Sequence, residues 1–145
     1  MDILGKVYVL SGVVNIGGLL MFNQFYTKAG ALEALAPSLF STESQMLINL
    51  WGLAYIGTAK NWKRVPVLNF AFFLEKMAYV YWWYRLMKND AVRSTALEMV
   101  TNGTDIFTGG FMLIFGLNDL LFGLAFGFGA WQAFSKGDSD EKKSK

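Results

Sequence analysis

The chain has 145 residues, enough for one compact unit, with 54% hydrophobic residues and a formal net charge of +2. It has no cysteine and no histidine. That excludes disulfides, the commonest ligands for zinc, haem and copper, and any histidine-based general base or triad. Only oxygen ligands remain for a metal, and no spaced carboxylate cluster is present, so neither a metal nor a cofactor is expected. The small net charge gives no footprint for nucleic acid.

The apolar residues are gathered into blocks almost free of charge, where a soluble domain would interleave polar residues on an exposed face. The predicted class is an all-α, polytopic membrane protein: a four-transmembrane-helix bundle over residues 1–134, with an unstructured charged tail, 135–145. The first helix is expected over about 7–26. Its charged flank is only Asp2 and Lys6 and no A-x-A-like site follows, so a retained helix is expected rather than a cleaved signal. Residues 27–41 are long enough for a short interfacial helix ending near Pro37. Thr42 and Gln45 form a T-x-x-Q capping pattern, which opens a second helix over 42–60. Trp62-Lys63-Arg64 reads as an interface anchor.

Pro66, in a favoured first-turn position, opens the third helix over 65–87. Glu75 and Lys76 lie in its middle. Its end, with Tyr81, Trp82, Trp83, Tyr84 and Arg85, reads as an aromatic belt with a snorkelling arginine. Residues 88–105 either prolong that helix or lie at the interface as a second short helical segment. Thr104 and Asp105 are both good caps for the fourth helix, expected over 106–134. Asp119 lies in it, as Glu75 does in the third.

Four spans would put the N-terminus, the 2–3 connection and the tail on one side. That side holds eight basic residues, from Lys6 through Lys60, Lys63 and Arg64 to the tail lysines. Lys28, Arg85, Lys88 and Arg93 make four on the other. The positive-inside rule then predicts cytoplasmic N- and C-termini.

Helical spacing groups the polar residues. Tyr8, Ser11, Asn15, Gly18 and Phe22 share one stripe, as do Gln45, Asn49, Gly52, Ile56 and Ala59. Asn69, Lys76, Val80 and Trp83 share a face of the third helix, with Glu75, Tyr79 and Trp82 on the adjacent one. In the fourth, Gly109, Gly116, Gly123 and Gly127 form a smooth face suited to close packing. Phe111, Phe115, Asn118, Phe122 and Phe126 lie on the other side of Asp119. Allowing for alternating direction, Asn15, Asn49, Glu75 and Asp119 reach a similar depth, a polar layer near the midplane.

A charge near the middle of a membrane helix costs at least ~2.5–3.5 kcal/mol on insertion scales, so it needs a partner or a task. Three readings stay open. The layer is packing glue, with Lys76 paired to Asp119 or Glu75. It is a ligand site formed by Asn15, Asn49, Asn69, Glu75, Lys76, Asn118 and Asp119. Or it is part of an ion path. The expected function is a non-catalytic accessory subunit or a binder of a lipophilic small molecule. The alternative is an enzyme or carrier for a lipid-like substrate, with Glu75 or Asp119 as catalytic proton donor or acceptor. Expected partners are membrane lipid and another membrane protein or a second copy, met through the glycine face of the fourth helix.

The segments LSGVVNIGGLLMF, INLWGLAYIGTAKNW and VPVL, with the spacing of the four helices, resemble the DoxX-like small four-helix membrane proteins. The resemblance implies a four-span fold and carries no functional residue onto this chain. The intramembrane acids are similar in kind to those of the sterol-isomerase and sigma-2-receptor group, whose bundles hold a lipophilic ligand. The histidine of that group's catalytic members has no counterpart here.

Overall fold

The computed structural model describes the backbone of residues 1–143 and the side chains of residues 1–135. It is all-α, with no strand among the described residues. A continuous helix, α1, spans Ile3–Phe22 and contains a π-helical turn at Val14–Gly18. Then follow α2 (Ala29–Leu35), α3 (Thr42–Thr58), a 3-10 turn (Trp62–Arg64), α4 (Pro66–Met87), α5 (Asp90–Thr101) and α6 (Ile106–Lys143). The short helices expected in the two long connections are α2 and α5. Helix α6 continues past 134 to Lys143. The expected unstructured tail thus lies partly on helical backbone, and Ser144 and Lys145 lie outside the described residues.

Local chemistry sets the ends. Helix α1 begins at Ile3 rather than 7, because the Asp2 carboxylate accepts the Gly5 N–H at 2.9 Å and caps it. It stops at Phe22 rather than 26. Gln24, Phe25 and Tyr26 have φ of 50°, 55° and 68°, three successive left-handed residues. Each costs roughly 1–2 kcal/mol for a residue with a Cβ. The Asn23 carboxamide accepts the Tyr26 N–H at 3.0 Å and helps hold the turn. The cap of α3 is Ser41, whose hydroxyl accepts the Ser44 N–H at 3.2 Å, and not the expected Thr42–Gln45 pair. Gln45 is fully buried and bonds instead to the Ala29 and Phe40 carbonyls and to Asn23. Pro66 is at the start of α4 as expected, and Asp105 caps α6 by accepting the Thr108 N–H at 3.0 Å.

Two helices, α1 and residues Ile106–Ser135 of α6, are long and apolar enough to cross a membrane. Helix α3 has 17 residues. Helix α4 has 22, with Glu75, Lys76 and Arg85 among them. Those charges and that length set the two apart from α1 and α6.

The N-terminus, the α3–α4 connection and the later part of α6 meet at one end. Trp62 Nε1 donates to Asp2 Oδ1 at 3.0 Å, and Lys63 pairs with the same carboxylate at 2.5 Å. A side chain at Gly129 would meet Leu4 and Tyr8. Trp62 is therefore not an outer anchor: it is 3% exposed and belongs to the core.

Helices α4 and α6 make the most extensive interface. A Cβ at Gly116 would land inside the Trp83 indole, one at Gly123 would meet Met77 and Lys76, and one at Gly127 would touch the Phe73 ring at 3.0 Å. A Cβ at Gly109 would lie 2.5 Å from the Ala96 carbonyl of α5. The glycine face is thus filled within the chain by α4 and α5. Trp83, expected in the aromatic belt, fills the Gly116 notch and donates to the Met112 carbonyl at 3.2 Å. Helices α1 and α3 cross where Gly12 and Gly52 abut, each leaving no room for a Cβ on the other.

The core has two apolar clusters. One gathers Leu19, Leu32, Phe40, Met112 and Phe115. The other gathers Tyr8, Tyr55, Trp62, Phe72 and Phe126. Along α4 and α6, Lys76 and Asp119 fall between the residues that join one cluster and those that join the other.

Two outcomes follow. Gly116→Ala forces the indole aside and should cost about 1–3 kcal/mol, while Gly110→Ala, which meets nothing within 4 Å, should be neutral or gain up to about 1 kcal/mol. Thermal unfolding in lipid nanodiscs compares them, and equal shifts would refute the notch. The Asp2 carboxyl is held well below its ordinary range by Lys63, the Gly5 N–H and Trp62. Its stabilisation is complete above about pH 4 and is lost as pH falls through the depressed folded value. Asp2→Asn should therefore flatten the stability profile below about pH 4; an unchanged acid slope would refute the clasp.

Candidate functional site

Lys76 is 2% exposed. An ammonium so buried needs an opposite charge and filled hydrogen bonds. Its Nζ pairs with Asp119 Oδ1 of α6 at 2.6 Å and donates to Asn15 Oδ1 of α1 at 3.0 Å. It also lies 5.3 Å from the centre of the Tyr55 ring of α3. Four helices thus converge on one cation. Asn15 sits in the π-helical turn, and its Nδ2 donates to the Ile48 carbonyl at 3.3 Å, which aims its oxygen at Lys76. Asn118 Nδ2 lies 3.4 Å from Asp119 Oδ1 and adds a second donor to the carboxylate.

Glu75 has a different environment. Tyr55 donates its hydroxyl to Glu75 Oε2 at 2.5 Å. The other oxygen, Oε1, is buried without a hydrogen-bond partner. The two acids are therefore bonded differently. Asp119 neutralises Lys76, and Glu75 keeps one acceptor free.

A cavity of about 130 Å³ opens beside these groups. Asn15, Glu75, Lys76, Asn118 and Asp119 all line it. Its apolar side is aromatic: Phe22, Phe40, Phe111 and Phe115 line it too, with ring centres 5.1–5.4 Å apart in successive contacts. Gly18 and Leu19, at the end of the π turn, complete that side. A π turn holds an extra residue, which lets neighbouring positions face inward together. Ile114 lines the cavity while remaining 50% exposed, so the space reaches the outer apolar surface.

Five of the seven expected ligand residues thus meet. The other two lie elsewhere. Asn49 donates to the Tyr26 hydroxyl at 2.6 Å and braces the left-handed turn. Asn69 donates to the Trp62 carbonyl at 2.7 Å and braces the α3–α4 connection. Tyr79, on the Glu75 face of its helix, lines the cavity as well, and Tyr55 and Phe40 belong to the site without a sequence expectation. Tyr55 had a signal: Gln45, Gly52, Tyr55 and Ala59 are spaced seven, three and four, and all four are buried. The inward face of α3 runs through Tyr55 rather than through Asn49 and Ile56. Among the described residues no three potential metal ligands converge.

No protein-family model, curated protein or solved structure matches the chain. The functional reading rests on its own residues.

Removing one partner of the buried pair leaves a charge uncompensated. Lys76→Met or Asp119→Asn alone should destabilise the fold by about 3–5 kcal/mol, and the double substitution by less than either. Unfolding of the four proteins in the same nanodiscs gives the cycle. Additive losses would show that the two side chains do not act as a pair.

Proposed function

We propose that the chain is a four-span membrane protein that holds a lipophilic molecule in the cavity between α1, α4 and α6, without transforming it. The cavity carries the reading: aromatic on one side, with fixed polar groups on the other, the usual build of a small-molecule site. Four helices turn apolar residues outward, among them Leu10 and Val13, Leu47 and Leu50, Phe70 and Leu74, Leu121 and Leu124. That supports lipid on all sides, with α3 and α4 as spans despite their length and charges. Helices α2 and α5 then lie at one interface. The opposite end, rich in lysine, faces the cytoplasm with both termini.

A molecule retained through gentle purification should be seen by native mass spectrometry of the wild-type protein. Gly18→Leu should abolish it. Gly18 lines the cavity, and a Cβ there meets only Val14, at 3.9 Å. This variant fills the space and leaves the ion pair alone. A molecule bound equally by both proteins lies elsewhere, and a bare wild-type chain would move the reading to a structural subunit of a larger assembly.

The free Glu75 oxygen favours a second reading, proton transfer to or from a lipid-like substrate. On that reading the retained molecule is converted over time by the wild type. Glu75→Gln would then hold it unchanged.

A further inference from the structure

The hydrogen-bond count of the cavity restricts what can fill it. Asn15, Lys76, Asn118 and Asp119 are joined by hydrogen bonds. Asn15 gives one of its two amide hydrogens to the Ile48 carbonyl, and its oxygen accepts from Lys76. Asp119 receives Lys76 and Asn118. Two unused capacities belong to the most deeply buried groups of the lining. Glu75 Oε1 is a buried acceptor with no donor. Lys76 Nζ has three protons and gives two, to Asn15 and Asp119. Both residues line the same small space and adjoin in sequence.

A group that satisfies both must donate one hydrogen bond and accept one. An ether, ester or ketone oxygen only accepts, and leaves Glu75 Oε1 bare. An ammonium only donates, and would add a second cation beside Lys76. A carboxylate would sit against Glu75 and Asp119. A hydroxyl does both. We infer that the bound molecule is an amphiphilic alcohol, its hydroxyl donating to Glu75 Oε1 and accepting from Lys76 Nζ. This rests on the binding role proposed above and names the chemical class of its ligand. A cavity of about 130 Å³ is close to one that holds a benzene ring (~150 Å³). It takes the alcohol carbon and its first neighbours. The rest of the molecule leaves past Ile114 and lies along the outer apolar surface.

The test uses the full chain, stripped of native lipid and placed in phosphatidylcholine nanodiscs. Three probes of similar length are titrated at matched mole fraction: 1-dodecanol, 1-methoxydodecane and dodecane. Occupancy is read by native mass spectrometry, with the Gly18→Leu protein as the blank. Dodecanol should bind at least about tenfold better than the methyl ether, since a hydrogen bond to a charged group is lost with the hydroxyl proton. Glu75→Gln, which offers an N–H to the cavity while its carbonyl receives Tyr55, should reduce or reverse that preference.

If dodecanol and the ether bind alike in the wild type and neither binds Gly18→Leu, the alcohol assignment falls and the binding site stands. If no probe distinguishes wild type from Gly18→Leu, both fall. The wild-type comparison decides the matter even if Glu75→Gln does not fold.

Discussion

The rest of the structure is arranged around one buried ammonium. Lys76 cannot sit at 2% exposure without the carboxylate of Asp119, 2.6 Å away on α6. That contact fixes how far α4 and α6 slide against each other. The glycines of α6 make the approach possible, because Gly123 lies against the stem of Lys76 itself and Gly116 takes the Trp83 ring. Helix α1 adds Asn15 from its π turn, and α3 adds the Tyr55 ring. A hydrophobic residue at 76 would suit the same volume at less desolvation cost. Holding a cation there places a charged pair in the core between the two apolar clusters.

The polar layer is economical in its charges. Of two carboxylates, one is committed to Lys76 and shielded by Asn118. The other is oriented by Tyr55 and keeps an oxygen in reserve. The aromatic cluster around Phe40 and Phe111 leaves the cavity on one side. The cluster around Tyr8, Phe72 and Phe126 closes the other. The layer thus stands between the two clusters, with the cavity on the Phe40 side. The reserve oxygen belongs to a residue that lines that space.

Much of this was legible in the sequence because it depends on helical spacing and on the rarity of charge in apolar runs. Glu75, Lys76 and Asp119 stood out for their company, and their meeting with Asn15 and Asn118 follows from depth along the helices. The glycine face of α6 could be read, and so could Pro66 and Asp105 at helix starts. Other features depend on contacts distant in sequence. Trp62 was read as an anchor because it adjoins Lys63 and Arg64, yet Asp2 draws it inward across 60 positions. Asn49 and Asn69 look like Asn15 in a helix plot, but each bonds to a connection outside the layer. Gln45 has capping spacing, yet its burial sends it to the Ala29 and Phe40 carbonyls. Three left-handed residues without glycine at Gln24–Tyr26 leave no sequence mark, since backbone bonds and the side chains of Asn23, Thr27 and Asn49 hold them there.

The Lys76–Asp119 contact also has a consequence in time. Synthesis runs from the N-terminus, and Asn15 precedes Lys76 by 61 residues while Asp119 follows it by 43. At about 5–20 residues per second, Lys76 waits roughly 2–9 seconds for its counter-ion. During that interval Glu75, its neighbour in sequence, is the one acid already made in the layer.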